Sequence, residues 1–365
     1  MSLFSMLVSP SPLVRSPRVA PVSAQRSDDS LVKPQVLILA NPTSGSGARS
    51  KPKTRKRQLE RVRAELETHG FGVHLGFETE SRAICERARN ATLAGTDIIV
   101  AAGGDGTVNA VANGMLLATN GLRPESKLGV LPLGTGNVFA ANMGISSDLS
   151  EACATLVAGH SRRIDAGLAS PLPGGQAPAK KETAFSSAWP DTPEPRYFLL
   201  MAGIGFDAKV IEDTSLRLKK VLRDFAYALS SVQNAVSHQG AEITLRFSDG
   251  TTHSSNSWLL MAGNAASYAW AIRFTDLARL DDGKLDLCLF PFANKLTSVQ
   301  QVVQLLMGQH IERGSASYFQ TTGVQIEATP PVPVQLDGDE WGTTPLELQM
   351  LPAALDVLAP PEKRE

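Results

Sequence analysis

Short apolar runs closed by polar, glycine-bearing turns organise the first half of the chain. Val36–Ala40, Ile98–Ala102 and Gly129–Leu133 are such runs, and β-branched residues dominate the second. A short continuous apolar run bounded by turn residues reads as a strand buried on both faces. After the second run the apolar residues recur at helical spacing. Val108, Val111, Met115 and Ala118 predict a helix over Thr107–Leu117, and Val138–Asn142 predicts a shorter one. From 35 to about 164 short strands alternate with longer amphipathic segments, the pattern of a parallel sheet. Beyond Ile164-Asp165-Ala166-Gly167 strands dominate: Tyr197–Ala202, Glu242–Phe247, Ser257–Gly263, Leu285–Phe290, Gly323–Ala328 and Leu346–Leu351.

The turns carry the candidate chemistry. Gly103-Gly104-Asp105-Gly106-Thr107 joins the second strand to its helix. Three glycines there imply a backbone need, since each costs roughly 0.5–1 kcal/mol against alanine inside a regular element. That need is read as close approach of backbone N–H groups to an anion at the helix N-terminus. Asp105 would repel a phosphate unless a cation stood between them, which points to a magnesium–nucleotide site; the alternative is a tight turn whose Asp-Gly fits φ > 0. Gly134-Thr135-Gly136-Asn137 follows the third strand, and Asn41-Pro42-Thr43-Ser44-Gly45-Ser46-Gly47 follows the first. In an open parallel sheet all three turns would lie along one carboxyl edge, where such sheets bind ligands. Neither a P-loop nor a dinucleotide fingerprint is present.

Composition bounds the picture further. At 365 residues and 42% hydrophobic content the chain has room for two domains of ordinary size. Residues 1–34 and 170–196 are rich in Pro, Ser, Gly or Ala and read as a disordered N-terminal segment and a loop insertion. No apolar run is long enough to span a bilayer. Cys85, Cys153 and Cys288 are scattered and the His residues do not pair, which favours a reduced, cytoplasmic setting and no zinc. Net charge is −1, yet Arg49, Lys51, Lys53, Arg55, Lys56, Arg57, Arg61 and Arg63 face the single acid Glu60. This cluster reads either as a solvated helix face or as a dock for an anionic membrane surface. Without interleaved aromatics it does not predict nucleic-acid binding. Asp213–Val236 is a second amphipathic candidate for lipid access.

The ordered series Asn41-Pro42-Thr43-Ser44-Gly45, Gly103–Thr107, Leu131–Asn137, Gly203-Ile204-Gly205-Phe206-Asp207, Leu280–Asp286 and Gln335-Leu336-Asp337-Gly338 resembles the diacylglycerol kinase catalytic-domain family, which includes YegS-like lipid kinases and sphingosine kinases. Gly-Gly-Asp-Gly-Thr alone is shared with NAD kinases. The resemblance implies an N-terminal doubly wound α/β nucleotide-binding domain (35–164) and a C-terminal β-sandwich (165–352). The active site would lie in the cleft between them, and 353–365 would return to the first domain. It implies an ATP- and Mg²⁺-dependent kinase acting on the hydroxyl of a membrane lipid such as diacylglycerol or a sphingoid base. Such an enzyme would be peripherally bound to the membrane, and a homodimer is compatible with it.

Site residues follow from the same resemblance. Nucleotide contacts are expected from Asn41, Gly103, Gly104, Asp105, Gly106, Thr107, Val108, Asn109, Ala110, Gly134, Thr135 and Asn137. Thr79 is a further candidate, or a plain loop threonine. Metal ligands carry over to the Asp282 carboxylate and the main-chain carbonyls of Arg279 and Lys284, with Asp105 added from the phosphate loop. The proton acceptor carries over to Asp339, with Asp337 as the alternative. Three departures stand out: Ala110 and Val138 where the family commonly has Glu and Asp, and Ala265-Ala266-Ser267-Tyr268-Ala269-Trp270 in place of a glycine-rich stretch. Two alternatives stay open: a soluble-substrate kinase of the NAD-kinase type, against which the Pro132–Asn137 block and the late Asp-Gly-Asp argue, and, motivated by the missing carboxylates, a non-catalytic nucleotide-binding protein on a decayed kinase fold.

Overall fold

A computed structural model describes residues 33–42, 52–176, 194–205, 240–267 and 273–361. Residues 1–32, 43–51, 177–193, 206–239, 268–272 and 362–365 lie outside the described residues, and so do the expectations that fall on them: most of the N-terminal segment, the loop from Thr43 to Gly47, Arg49 and Lys51 of the basic cluster, the tip of the insertion, Phe206 and Asp207, the second amphipathic stretch, Tyr268–Trp270 and the end of the C-terminal segment. Pro34–Glu365 forms one compact unit.

The first half runs β1 (Gln35–Ala40), α1 (Pro52–Thr68), β2 (Gly72–Phe77), α2 (Ser81–Leu93), β3 (Ile98–Gly103), α3 (Asp105–Ala118), β4 (Lys127–Pro132), α4 (Val138–Asn142) and α5 (Leu149–Ala158). Its strands pair in parallel in the order β2-β1-β3-β4. Every residue of β3 is buried, as expected for a central parallel strand covered by helices on both faces. The order reverses at β1, so the loops after β1 and β3 flank the switch point where doubly wound sheets hold ligands.

The second half runs β5 (Ser161–Pro171), β6 (Arg196–Phe198), β7 (Met201–Ile204), β8 (Ala241–Phe247), β9 (Thr252–Gly263), β10 (Leu285–Pro291), α6 (Lys295–Leu306), β11 (Ser317–Thr321), β12 (Gly323–Thr329), β13 (Pro333–Leu336), β14 (Asp339–Thr343) and β15 (Leu346–Leu358). These strands pair antiparallel around a second apolar core that includes Phe198, Ile243, Leu260, Leu287, Ile326 and Leu348. The architecture is thus a doubly wound α/β half joined to a β-sandwich half.

Of the strands that differ from the sequence expectation, two do so for a polar reason. The run Tyr197–Ala202 is broken into β6 and β7, because the N–H groups of Leu199, Leu200 and Met201 all turn onto one carboxylate, that of Asp337. Leu346–Leu351 continues to Leu358 through an irregularity where Ala353 adopts φ 51° and donates its N–H to Asp165. Beyond it β15 pairs with β4 at Val357–Leu128 while still pairing with β5. The boundaries drawn at 164/165 and 352/353 therefore fall inside the shared strands β5 and β15 rather than in linkers.

Candidate active site

The two glycine turns meet backbone to backbone. Gly103 C=O accepts the N–H groups of Leu133 (2.9 Å) and Gly134 (3.1 Å), tying the turn after β4 to the end of β3. A Cβ on Gly134 would stand 2.4 Å from Gly104 Cα, so only glycine permits this approach. The Asn137 side chain closes its own turn, accepting from Gly134 N–H (3.0 Å) and donating to Gly134 C=O (3.1 Å). These two bonds set the shape of the turn. Thr135 is exposed at the tip of the turn. Gly106 is exposed on the first turn of α3, and a Cβ there would meet nothing within 4 Å. That open space beside a helix N-terminus is where an anion would be received.

Several expected nucleotide contacts fall elsewhere. Thr107, Val108, Asn109 and Ala110 are buried, and the N–H groups of Thr107 and Val108 are already bonded to Gly104 C=O. Of the loop residues, Gly104, Asp105 and Gly106 are the ones left at least partly open to solvent. Asp105 has a partner that needs no cation: its Oδ1 accepts the Phe139 N–H at 2.9 Å and so caps α4. The argument that its charge alone requires a metal is corrected by this bond. Asn41 and Thr79 are brought together, Asn41 Nδ2 donating to Thr79 C=O at 3.3 Å, with Thr79 exposed.

α3 carries the site from the phosphate loop into the sandwich half. Asn109 and Asn113 lie one helical turn apart on the same face. Asn113 exchanges hydrogen bonds with both backbone groups of Tyr197 (2.9 Å each). Asn109 Nδ2 donates to Asp337 Oδ2 at 2.7 Å, and its Oδ1 accepts from Arg196 Nη2 at 3.2 Å. Asp337 and Gly338 have φ 50° and 93° between the paired residues Leu336 and Asp339, which makes them the centre of a two-residue hairpin of the Asp-Gly kind. The Asp337 carboxylate accepts four hydrogen bonds, from Asn109, Leu199, Leu200 and Met201, at 2.7–2.9 Å. Burial pushes its pKa up, and the four donors oppose that shift. Four donors on its two oxygens make it a structural anchor of the hairpin. Asp339, one residue past the turn, is half-exposed. Its Oδ2 accepts from Arg196 Nη2 at 2.6 Å, while Oδ1 takes no hydrogen bond among the described residues.

The Asp282 turn is held from beneath by a residue the sequence reading used only to mark a boundary. Asp165 is buried, and its Oδ2 accepts the Gly283 N–H (2.6 Å) while Oδ1 accepts that of Ala353 (2.7 Å). Burial, the largest influence, raises its pKa, with nearby Asp282 and Asp281 acting in the same direction. Asp282 Oδ1 accepts the Lys284 N–H at 3.0 Å. Buried Asn264 donates to the carbonyls of Asp165 (3.1 Å) and Leu199 (2.9 Å), linking this turn to the strand break held by Asp337. One carboxylate plus main-chain carbonyls is an all-oxygen donor set that suits a hard divalent cation retaining several waters. Among the described residues no group of three or more His, Cys, Asp or Glu could hold a metal, and the Asp105 carboxylate is bonded to the N-terminus of α4.

The basic cluster divides. Arg55 is only 6% exposed, and it donates to Pro42 C=O (3.4 Å) and Leu133 C=O (3.2 Å), beneath two of the expected ligand loops. It leaves the solvated face to which its charge had assigned it. Arg63 pairs with Glu60 and Glu67 on the helix surface. Lys53, Lys56, Arg57 and Arg61 are exposed, and among the described residues none has an acidic partner. The three cysteines are buried and free. No helix among the described residues is long and apolar enough to cross a membrane. Arg196, Asn113, Asp165 and Asn264 escaped the sequence reading. The available signal was a polar residue set among strand or helix residues bound for the interior, which must find partners there.

With this geometry in hand, comparison with known proteins is informative. Residues 35–169 match the diacylglycerol kinase catalytic domain, and residues 201–359 match the YegS C-terminal NAD kinase beta sandwich-like domain. A diacylglycerol kinase of Bacillus subtilis is 29% identical over 329 residues, covering 90% of this chain and 97% of that protein. A probable lipid kinase, YegS-like, of Chromohalobacter salexigens is 29% identical over 273 residues, 75% of this chain and 79% of that one. The crystal structure of a diacylglycerol kinase from Bacillus anthracis has the same fold, with a TM-score of 0.63 at 20% identity over 90% of this chain and 97% of that one. The chain thus carries a diacylglycerol kinase catalytic domain followed by a YegS-type C-terminal domain, in the order of the two structural halves.

Proposed function

We propose that the protein transfers the γ-phosphate of ATP to the hydroxyl of a membrane lipid, with diacylglycerol as the first substrate to test. The observation that carries this reading is the bonding of the phosphate loop and the exposed carboxylate to one helix. α3 begins at the open turn around Gly106 and, one turn later, uses Asn109 to hold both Asp337 and the Arg196 that grips Asp339. Phosphoryl transfer asks for positioning and charge neutralisation rather than covalent chemistry from the protein, and this arrangement supplies both.

In this reading the turns at 104–106 and 134–136 receive the triphosphate. Asp339 Oδ1 takes the proton of the lipid hydroxyl as its oxygen attacks the γ-phosphorus and ADP leaves. Asp282, with the carbonyls of Arg279 and Lys284, would hold Mg²⁺, which when bound neutralises phosphate charge. The exposed stripe Lys53, Lys56, Arg57 and Arg61 would meet an anionic leaflet, each residue contributing about 1 kcal/mol near the surface. The diacylglycerol kinase and YegS-like names of the relatives support the substrate class.

The test is turnover of diacylglycerol and sphingoid bases in mixed micelles with labelled ATP, for wild type and Asp339→Asn. Loss of a general base lowers turnover by about 10²–10⁴-fold. ATP affinity should stay within about three-fold, because Asp339 belongs to the other half of the molecule from the phosphate turns. Wild-type turnover by Asp339→Asn would remove the proton-acceptor role; no lipid turnover by the wild type would return the protein to the non-catalytic alternative.

A further inference from the structure

We infer that Arg196 is a positioning residue that fixes the orientation of Asp339 and ties it to the helix bearing the phosphate turn. The inference rests on the reading of Asp339 as proton acceptor. Arg196 stands on β6, directly before the strand break that Asp337 holds. Its side chain is 4% exposed, whereas that of Asp339 is 47% exposed. An exposed carboxylate at the start of a short strand has several rotamers to choose from, and holding one of them costs entropy. A guanidinium anchored in the interior removes that choice, because its fork geometry fixes the direction of each donor.

The bonding pattern fits positioning better than mere ion pairing. Nη2 donates both to Asp339 Oδ2, at 2.6 Å, and to Asn109 Oδ1, at 3.2 Å. Asn109 in turn spends its amide on Asp337 Oδ2 and on Tyr197 C=O. The position of Arg196 is therefore set by α3 and by the hairpin together. Only one oxygen of Asp339 is taken, so the other stays available to an incoming hydroxyl. A simple surface ion pair would have left both partners exposed and contributed little. Residues held in a productive geometry by a second layer of hydrogen bonds are the usual condition for efficient transfer, and a displacement near 1 Å can cost about 10²-fold in rate.

A double-mutant cycle on the full chain tests this. Arg196→Met should lower kcat by about 10–100-fold while the KM for ATP stays within about three-fold. If Arg196 acts through Asp339, the pair Arg196→Met with Asp339→Asn should be no more than about three-fold slower than Asp339→Asn alone, because residues acting as a unit are not additive. Arg196→Lys keeps the charge and one donor, and should recover at least part of the lost kcat. It also carries the test should Arg196→Met fail to fold, with circular dichroism melting as the check. Fully multiplicative losses, or a normal kcat in Arg196→Met beside an inactive Asp339→Asn, would overturn the inference and leave the function intact. Normal turnover by Asp339→Asn would overturn the reading on which the inference stands.

Discussion

Replacing Gly134 by alanine should separate the two glycine turns, and the structure gives the size of the effect. The new Cβ would stand 2.4 Å from Gly104 Cα, 2.7 Å from Asn137 Oδ1 and 3.1 Å from Gly104 N. Carbon atoms rest at roughly 3.5–4.0 Å, so the turns must part by about 1 Å or more. The obstruction is backbone and cannot swing aside as a side-chain tip would. Overpacking of this kind costs about 1–3 kcal/mol. A 1 Å displacement of a ligand-positioning loop costs about 10²-fold in rate. Gly106→Ala makes the matching control, because its Cβ would meet no protein atom within 4 Å. Removing a glycine from a helical turn should raise stability by about 0.5–1 kcal/mol. The same methyl would enter the space assigned to the triphosphate and weaken ATP. Thermal melting and isothermal titration with ATP, run side by side, give the two readouts. Gly134→Ala should lose both stability and affinity; Gly106→Ala should lose affinity alone. Wild-type ATP affinity in Gly106→Ala would refute the assignment of the first turn of α3 as the phosphate cradle. An unshifted melt in Gly134→Ala would show that the close approach of the loops is not needed.

Asp105→Asn keeps an oxygen able to accept the Phe139 N–H and should melt like wild type, whereas Asp105→Ala should lose about 0.5–2 kcal/mol with the cap; unchanged Mg²⁺ dependence of turnover in Asp105→Asn would end its candidacy as a metal ligand. Asp337→Asn turns an amide toward at least two buried N–H donors and should cost about 2–4 kcal/mol in urea unfolding; equal midpoints would contradict the anchor role. Reversing Lys53, Lys56 and Arg57 together to Glu should weaken binding to phosphatidylglycerol vesicles by about 10²-fold at low salt and much less at high salt; a loss indifferent to salt would speak against electrostatic docking.

The sequence made the frame legible because its signals are local. The apolar runs before Asn41, Gly103 and Leu133 are buried parallel strands with ends close to those expected, and the helix over Thr107–Leu117 extends only to Asp105–Ala118. The turn glycines were legible as a backbone need, and Gly134 meets that need against Gly104. What stayed hidden was long-range polar pairing. Asp337 and Asp339 are both carboxylates beside the same glycine, and only the fold turns one toward three amides of a distant strand and leaves the other half-exposed. Arg196 sat at the end of a Pro-rich stretch that read as loop, so nothing nearby marked its side chain as interior. Val108, Asn109 and Ala110 belonged to a recognised motif, yet helix rotation carries them into the core.

Helix α1 makes the same point with charge. In sequence Lys53, Arg55, Lys56 and Arg57 are one basic run, and a net-charge argument treats them alike. The 3.6-residue period separates them: Arg55 faces inward with Leu59, Val62 and Leu66, while its basic neighbours face out. Burial lowers the pKa of Arg55 from its usual value, but a guanidinium remains charged in any protein, so a full positive charge lies under the carbonyls of Pro42 and Leu133. Those carbonyls belong to the loops after β1 and β4, two of the loops expected to contact a nucleotide. A charge held in that position is screened far less by salt than the exposed stripe on the opposite face. On the proposed function one helix would carry two electrostatic tasks that differ in kind. The inward arginine, bonded to Pro42 and Leu133, would favour an anion above those loops, and the outward residues would supply a long-range, salt-sensitive attraction to a charged surface.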